Sequence, residues 1–306
     1  MPNINPKSLT TANLTLPSSM IDLLMQYFAE QTSKHVEINP KQLAYRWVGG
    51  IKGSLQPIDA NLFLSLDDLL GIETQKQKII LNTRQFLAGL PANHVLMTGS
   101  RGTGKSSLVR ALLKDFNKDG LRVIEVARDD LHVLDKIRAA ISKLSDNRNN
   151  NIENNCRYII YCDDLAFNKQ DENYRTLKSL LDGALDSEQD KLLVYATSNR
   201  RHLLPQMMKD NLDIYNGQTD EVNPFETIDE TVSLSDRFGL WLSFYPMNQQ
   251  TYLDIAKHYV LAENIEWTAD TEASALRHAS ERGGRSGRIA YQFSRHYVGK
   301  TKLAKL

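Results

Sequence analysis

Cysteine is nearly absent from this 306-residue chain, which has only Cys156 and Cys162. Two thiols cannot build a disulfide framework or a four-ligand zinc site, so both are read as buried thiols in a reducing compartment. Net charge is absent too, with 37 Lys and Arg against 37 Asp and Glu. No global basic field draws the chain to nucleic acid or to an anionic membrane, and either partner would need a local patch. Apolar runs are of strand length, well under the ~20 residues that span a bilayer. No apolar segment follows a basic start at the N-terminus, and the expectation is a cytoplasmic protein with no membrane partner. There is no internal repeat, no Cys/His spacing for zinc and no G-x-S-x-G nucleophile elbow.

What is present is a globular composition, 41% hydrophobic and 24% charged, in a chain too long for one small core. Residues 1–60 read as an N-terminal extension. Its Met20, Leu23, Leu24, Tyr27 and Phe28 recur at helical spacing behind Ser18 and Ser19, and Tyr45-Arg46-Trp47 with Gly49, Gly50 and Gly53 suggests an aromatic anchor before a flexible connection. Residues 61–246 alternate strand and helix patterns. A helix is predicted over Glu73 to Leu87, and five β-rich runs follow at His94–Gly99, Leu121–Val126, Tyr158–Leu165, Leu192–Asn199 and Leu240–Phe244. Strands separated by helices predict an α/β unit with a parallel five-stranded sheet covered on both faces. Residues 247–306 are helical in pattern and form a second, small α-helical unit. The asparagine-dense stretch 146–155 is a solvated loop, and the long acidic stretch 205–235 has no assigned role.

The most informative segment follows the first of those five strands. Gly99-Ser100-Arg101-Gly102-Thr103-Gly104-Lys105-Ser106 fits G-x-x-x-x-G-K-[ST] between a strand and a helix, the context that makes a P-loop. Glycine lets the loop turn its amides inward, and the following helix offers its positive end to phosphate. Lys105 would set a compact charge on the β- and γ-phosphates, and the Ser106 hydroxyl would be a ligand for Mg²⁺, a cation that prefers oxygen. Ser107 completes the cofactor-binding stretch.

Two further strand ends carry chemistry. The run Tyr158 to Cys162 exits into Asp163 and Asp164, where the first carboxylate would hold the Mg²⁺ shell and the second would polarise the attacking water. The run Leu192 to Ser198 exits into Asn199, whose amide could hold the γ-phosphate or the water beside it.

In the order LLGIE, TGSRGTGKSS, IIYCDD, ATSN, SDRFG and SGRIAYQF, the chain resembles the AAA+ ATPases. Over about 61–300 it is similar to a bacterial AAA+-type ATP-binding family known only as a domain of unknown function. The resemblance implies that Asn199 is the sensor 1 residue and that Arg237 is an arginine finger directed at a neighbouring subunit of a homo-oligomer. It also implies a C-terminal lid that supplies a sensor 2 arginine, Arg288 or in competition Arg285, and a segment at Leu70, Gly71 and Ile72 near adenine. One departure stands out: most AAA+ motors carry glutamate where Asp164 stands, one methylene shorter, which implies slow hydrolysis.

Three functions fit these residues. The first is Mg²⁺-dependent ATP binding and hydrolysis coupled to remodelling or loading of an unknown partner. The second is an ATP-gated switch or adaptor with little turnover. The third is a nucleic-acid-associated ATPase, for which Arg200, Arg201, Arg282, Arg285 and Arg288 give local positive charge, although no stacking platform is evident.

Overall fold

The computed structural model describes Met20 and residues 36–49, 53–60, 62–145, 156–167, 172–182, 191–199 and 234–305. The helix expected near residues 18–28, the loop 146–155 and nearly all of 205–235 lie outside the described residues, as do Arg200 and Arg201.

The strands are β1 (Ala44–Val48), β2 (Ser54–Pro57), β3 (Val95–Gly99), β4 (Leu121–Glu125), β5 (Arg157–Cys162), β6 (Leu192–Ser198) and β7 (Leu240–Phe244). The helices are α1 (Glu73–Leu87), α2 (Lys105–Phe116), α3 (Leu134–Ser145), α4 (Glu172–Asp182), α5 (Gln249–Leu261), α6 (Ala269–Glu281) and α7 (Gly287–Leu303). One sheet runs β2-β1-β4-β5-β6-β3-β7, and every pairing in it is parallel except the β1–β2 hairpin.

The α/β class and the parallel arrangement match the sequence reading, but the sheet has seven strands rather than five. The two additional ones come from the stretch read as an aromatic anchor and flexible connection. Ala44, Tyr45 and Trp47 are buried, and Ala44 to Arg46 pair with Val123 to Glu125. Gly49 and Gly53, two of the glycines that suggested a linker, lie between the paired strands, and Gly53 is so close to the Trp47 ring that a side chain would collide with it.

Both sheet faces are covered, as a parallel sheet requires. On β5, Tyr158, Ile160 and Cys162 enter one core with residues of α3 and α4, while Ile159 and Tyr161 enter the other with residues of α1 and α2. Alternation along the strand therefore runs apolar to apolar, which is why the sequence shows continuous hydrophobic runs there. Cys156 and Cys162 are both buried and form no disulfide with each other, and burial pushes the Cys162 thiol up to about 12. His94 accepts a hydrogen bond from the Val194 amide at 3.0 Å, a structural role. Phe244 is buried, whereas the next residue, Tyr245, is exposed.

Helices α5 to α7 enclose a separate core around Tyr252, Ala256, Val260 and Phe293, to which Trp267 adds an edge-on ring contact with Phe293. Each begins with a side-chain cap: Asn248 accepts from the Thr251 amide, Thr268 from Thr271 and Ser286 from Ile289. The helical unit touches the sheet unit at named places. Leu70 packs on its core, Asp68 meets His258 at 3.2 Å, and the Gly287 amide donates to the Gly102 carbonyl at 2.9 Å.

Candidate nucleotide site

Register explains why three sequence-distant segments meet. Thr98 on β3 lies level with Ser198 on β6, and Cys162 on β5 lies level with Ala196. The residues that follow, Gly99, Asp163 and Asn199, therefore leave the sheet at one edge, the carboxyl edge where α/β folds bind ligands. Thr197 falls beside Asp163.

The loop from Gly99 to Lys105 turns through Gly102 at φ +74° and Gly104 at φ +101°, conformations that side-chain-bearing residues rarely adopt. Lys105 opens α2 and is only 6% exposed. Its ammonium donates to the carbonyls of Gly99 and Ser100, each at 2.7 Å, and to Asn199 Oδ1 at 3.3 Å. Burial lowers the Lys105 pKa, against the opposing pull of the Asp163 and Asp164 carboxylates. A cation held in the loop's own concavity, with every N–H engaged, is a charge ready to exchange carbonyl partners for anionic ones.

Asp163 accepts from Ser106 Oγ at 3.0 Å and from Thr197 Oγ1. Burial acts to raise its carboxyl, but these hydrogen bonds and the Arg110 charge outweigh it and hold the pKa below the usual aspartate value. The Tyr161 hydroxyl is enclosed beside it without a hydrogen bond of good geometry, and burial drives that phenol well above its ordinary range. Thr197 is 2% exposed and bridges both acids: it donates to Asp163 and accepts from the Asp164 amide at 2.9 Å.

Asp164 sits at φ +53°, one of two non-glycine residues in the left-handed region among those described. Its Oδ1 accepts from Asn199 Nδ2 at 2.6 Å, and its Oδ2 lies 3.7 Å from the Arg101 guanidinium. Lys105, Ser106, Asp163, Asp164 and Asn199 thus form one connected cluster.

The arginines divide. Arg288, in the first turn of α7, has its Cβ 3.6 Å from where a side chain on Gly102 would begin, so it stands directly over the loop. Arg285 instead donates to Gln249 Oε1 at 3.1 Å on α5. Arg237 precedes β7, and Leu240 lies level with Val95 while Phe244 lies level with Gly99. At ~3.3 Å per residue it is well over 10 Å from the loop, at the opposite edge of the sheet, and does not join the cluster. Gly71, at φ +75°, has no room for a side chain beside Thr251 of α5, and Ile72 lies 3.6 Å from where a Gly104 side chain would begin.

Sequence reasoning missed Thr197 and the Ser286–Gly287 contact with Gly102. A signal for the first existed: Thr197 is a polar residue in an apolar strand, two positions before Asn199 and so on the same face.

The oxygen set fits a hard divalent ion. A hydroxyl and a carboxylate that stays ionised meet beside a glycine loop and an enclosed ammonium, which suits a magnesium–triphosphate pair. Among the described residues no cluster of three or more His, Cys, Asp and Glu could hold a metal by itself, as expected where phosphate oxygens and water complete the shell.

Strand order, glycine loop and paired carboxylates define an α/β protein with a P-loop. Within that class the chain belongs to the family described as "Protein of unknown function (DUF815)", whose model matches residues 18–301. Solved structures similar to it include the Thermotoga maritima RuvB Holliday junction branch migration motor, at 18% identity and TM-score 0.48, covering 79% of this chain and 66% of that one. Others are AMPPCP-bound DnaA from Aquifex aeolicus, at 18% identity and TM-score 0.47 over 81% and 67% of the two chains, and Aeropyrum pernix ORC1 in complex with DNA, at 15% and 0.47 over 72% and 57%. No curated protein matches the chain. Among the described residues no helix is long and apolar enough to cross a membrane.

Proposed function

We propose that the protein binds ATP with Mg²⁺ and hydrolyses it to ADP and phosphate, using the turnover to remodel or load a partner. The observation that carries this reading is the connected cluster of Lys105, Ser106, Asp163, Asp164 and Asn199 at one sheet edge.

In this reading the loop amides and Lys105 bind the phosphate tail, and the ammonium trades the Gly99 and Ser100 carbonyls for phosphate oxygens. Ser106 and Asp163 would hold the ion, which would supply neutralisation of the phosphate charge. Asp164 orients the attacking water and takes up its proton, while Asn199 fixes the Asp164 carboxylate. Arg288 reaches the phosphates from the helical unit, which thereby acts as a lid, and its seat over Gly102 favours it over Arg285. Leu70 and Gly71 flank the base.

Arg237 is proposed to serve the site of a neighbouring copy, because its own site is out of reach along β7. This requires a homo-oligomer at least while turnover proceeds. The short Asp164 side chain, tied to Asn199 and Arg101, favours slow hydrolysis. Release of phosphate by the full chain tests the reading. Turnover should need Mg²⁺, disappear in Lys105→Ala, and rise per protomer with protein concentration unless Arg237 is replaced by alanine. A magnesium-independent rate that survives Lys105→Ala would rule the reading out.

A further inference from the structure

The positive charge of this neutral chain is unevenly placed. Residues 282–306 carry Arg282, Arg285, Arg288, Arg295, Lys300, Lys302 and Lys305 and not one Asp or Glu. Between α6 and α7 lies an open cleft of about 740 Å³, remote from the nucleotide loop in sequence and walled by Arg277 of α6, by Lys300 of α7 and by Lys305 just beyond its end.

Glu281 is the one carboxylate that lines it, and none of these three cations makes an ion pair within 4 Å among the described residues. His278 and His296 line it as well, and His278 Nε2 is enclosed without a hydrogen-bond partner. Burial lowers the His278 pKa, and the charges of Arg282 and His296 add to that effect against the opposing Glu281 carboxylate. From Phe293 to Leu303 the α7 wall extends ~15 Å at 1.5 Å per residue, and Lys305 lies just beyond it.

We propose that the α6–α7 cleft binds the phosphate backbone of a nucleic acid. Unpaired cations on two walls over such a length match a polyanion better than a single small anion. An acidic protein surface is the lesser fit: stable protein interfaces bury an apolar centre, and here Phe293 is already 97% covered by the helical core while Tyr297 is held by Thr271 through its hydroxyl at 2.8 Å. Phe293 and Tyr297 are thus not free to stack on a base, and the contact is assigned to backbone and not to sequence. The inference stands apart from the ATP reading, since Arg277, Lys300 and Lys305 are not part of the nucleotide cluster.

The test is fluorescence anisotropy of a short mixed-sequence DNA, as single strand and as duplex, with the full chain and no nucleotide. Binding should weaken about tenfold or more between ~50 and ~200 mM salt, as at least three phosphate contacts require. Arg277→Ala/Lys300→Ala/Lys305→Ala should lose at least tenfold in affinity at low salt, and its salt slope should flatten by about 2 for single strands. Lys78→Ala/Lys118→Ala/Lys136→Ala, an equal charge loss at exposed sites elsewhere, should bind as the parent does. Should the triple variant fail to fold by circular dichroism, Lys300→Glu alone should give the same direction of change. Three results would overturn the proposal: no binding at low salt, equal losses in the two triple variants, or poly-glutamate competing as well as DNA of the same charge.

Discussion

The glycine loop and the α6–α7 cleft are both proposed as anion sites, yet they differ in how they hold their charges. In the loop, Lys105 is nearly enclosed and its ammonium is satisfied by two carbonyls and Asn199, while Asp163 is held by two hydroxyls. In the cleft, Arg277, Lys300 and Lys305 stand in solvent with no carboxylate partner among the described residues. An enclosed, pre-oriented charge is little screened and can discriminate one phosphate geometry, whereas exposed charges act at a distance and are screened by salt. Burial therefore separates a site that selects from a surface that collects.

The largest effect expected of that contrast is at Asp163, the carboxylate proposed to hold the ion. Asp163→Ala should reduce ATP turnover a hundredfold or more, since metal neutralisation of developing charge is worth several kcal/mol, and should leave DNA anisotropy unchanged. Phosphate-release and anisotropy assays on the same sample read both. The reciprocal variant, with Arg277, Lys300 and Lys305 replaced by alanine, should lose DNA affinity tenfold or more while keeping its nucleotide affinity within about twofold. Loss of both functions in either variant would break the comparison.

Thr197→Val should have an intermediate effect. It removes the donor to Asp163 and the acceptor for the Asp164 amide inside the protein, so unfolding free energy should fall by about 1–3 kcal/mol in denaturant titrations. Turnover should fall more than nucleotide affinity, and Thr197→Ser should recover most of the rate. Unchanged turnover in Thr197→Val would remove the bridge from the account.

Gly102→Ala probes the contact between the two units. Its φ of +74° strains any side chain, and the new carbon would lie 2.9 Å from Ser286, so a loss of about 1–2 kcal/mol is expected along with a displaced first turn of α7. Arg288-dependent turnover should fall with it.

The smallest effect concerns pH. The folded pKa of His278 lies below its unfolded value, so the folded state binds fewer protons near pH 6 and stability should rise with pH there. Its contribution is complete above about 6.5, the ordinary histidine value, and is lost as pH falls through the folded value. Thermal melts between pH 5 and 7 should show the slope, and His278→Gln should flatten it.

The readability of this molecule from sequence follows the range of the forces involved. The P-loop, α1 and α2 were legible because local periodicity and a glycine pattern determine them. The β1–β2 hairpin was not, because three glycines outweighed the alternation of Tyr45 and Trp47, and only pairing with β4 makes those residues a strand. Asp163, Asp164 and Asn199 could be picked out as strand ends, but that they touch depends on the β5–β6 register. Thr197 acquires its role from that register alone. Arg288 and Arg285 could not be separated by spacing, and what distinguishes them is the docking of α7 on Gly102, a contact between residues nearly two hundred positions apart.

The central claim is that a glycine loop and one enclosed ammonium receive a triphosphate. Isothermal titration of the folded full chain with a non-hydrolysable ATP analogue and Mg²⁺, beside Lys105→Ala, tests it most directly. The account predicts saturable heat near one nucleotide per protomer, weakened when the ion is chelated and reduced at least tenfold in affinity by Lys105→Ala. Folded protein that gives no heat, or a Lys105→Ala chain that titrates as the parent does, would contradict it.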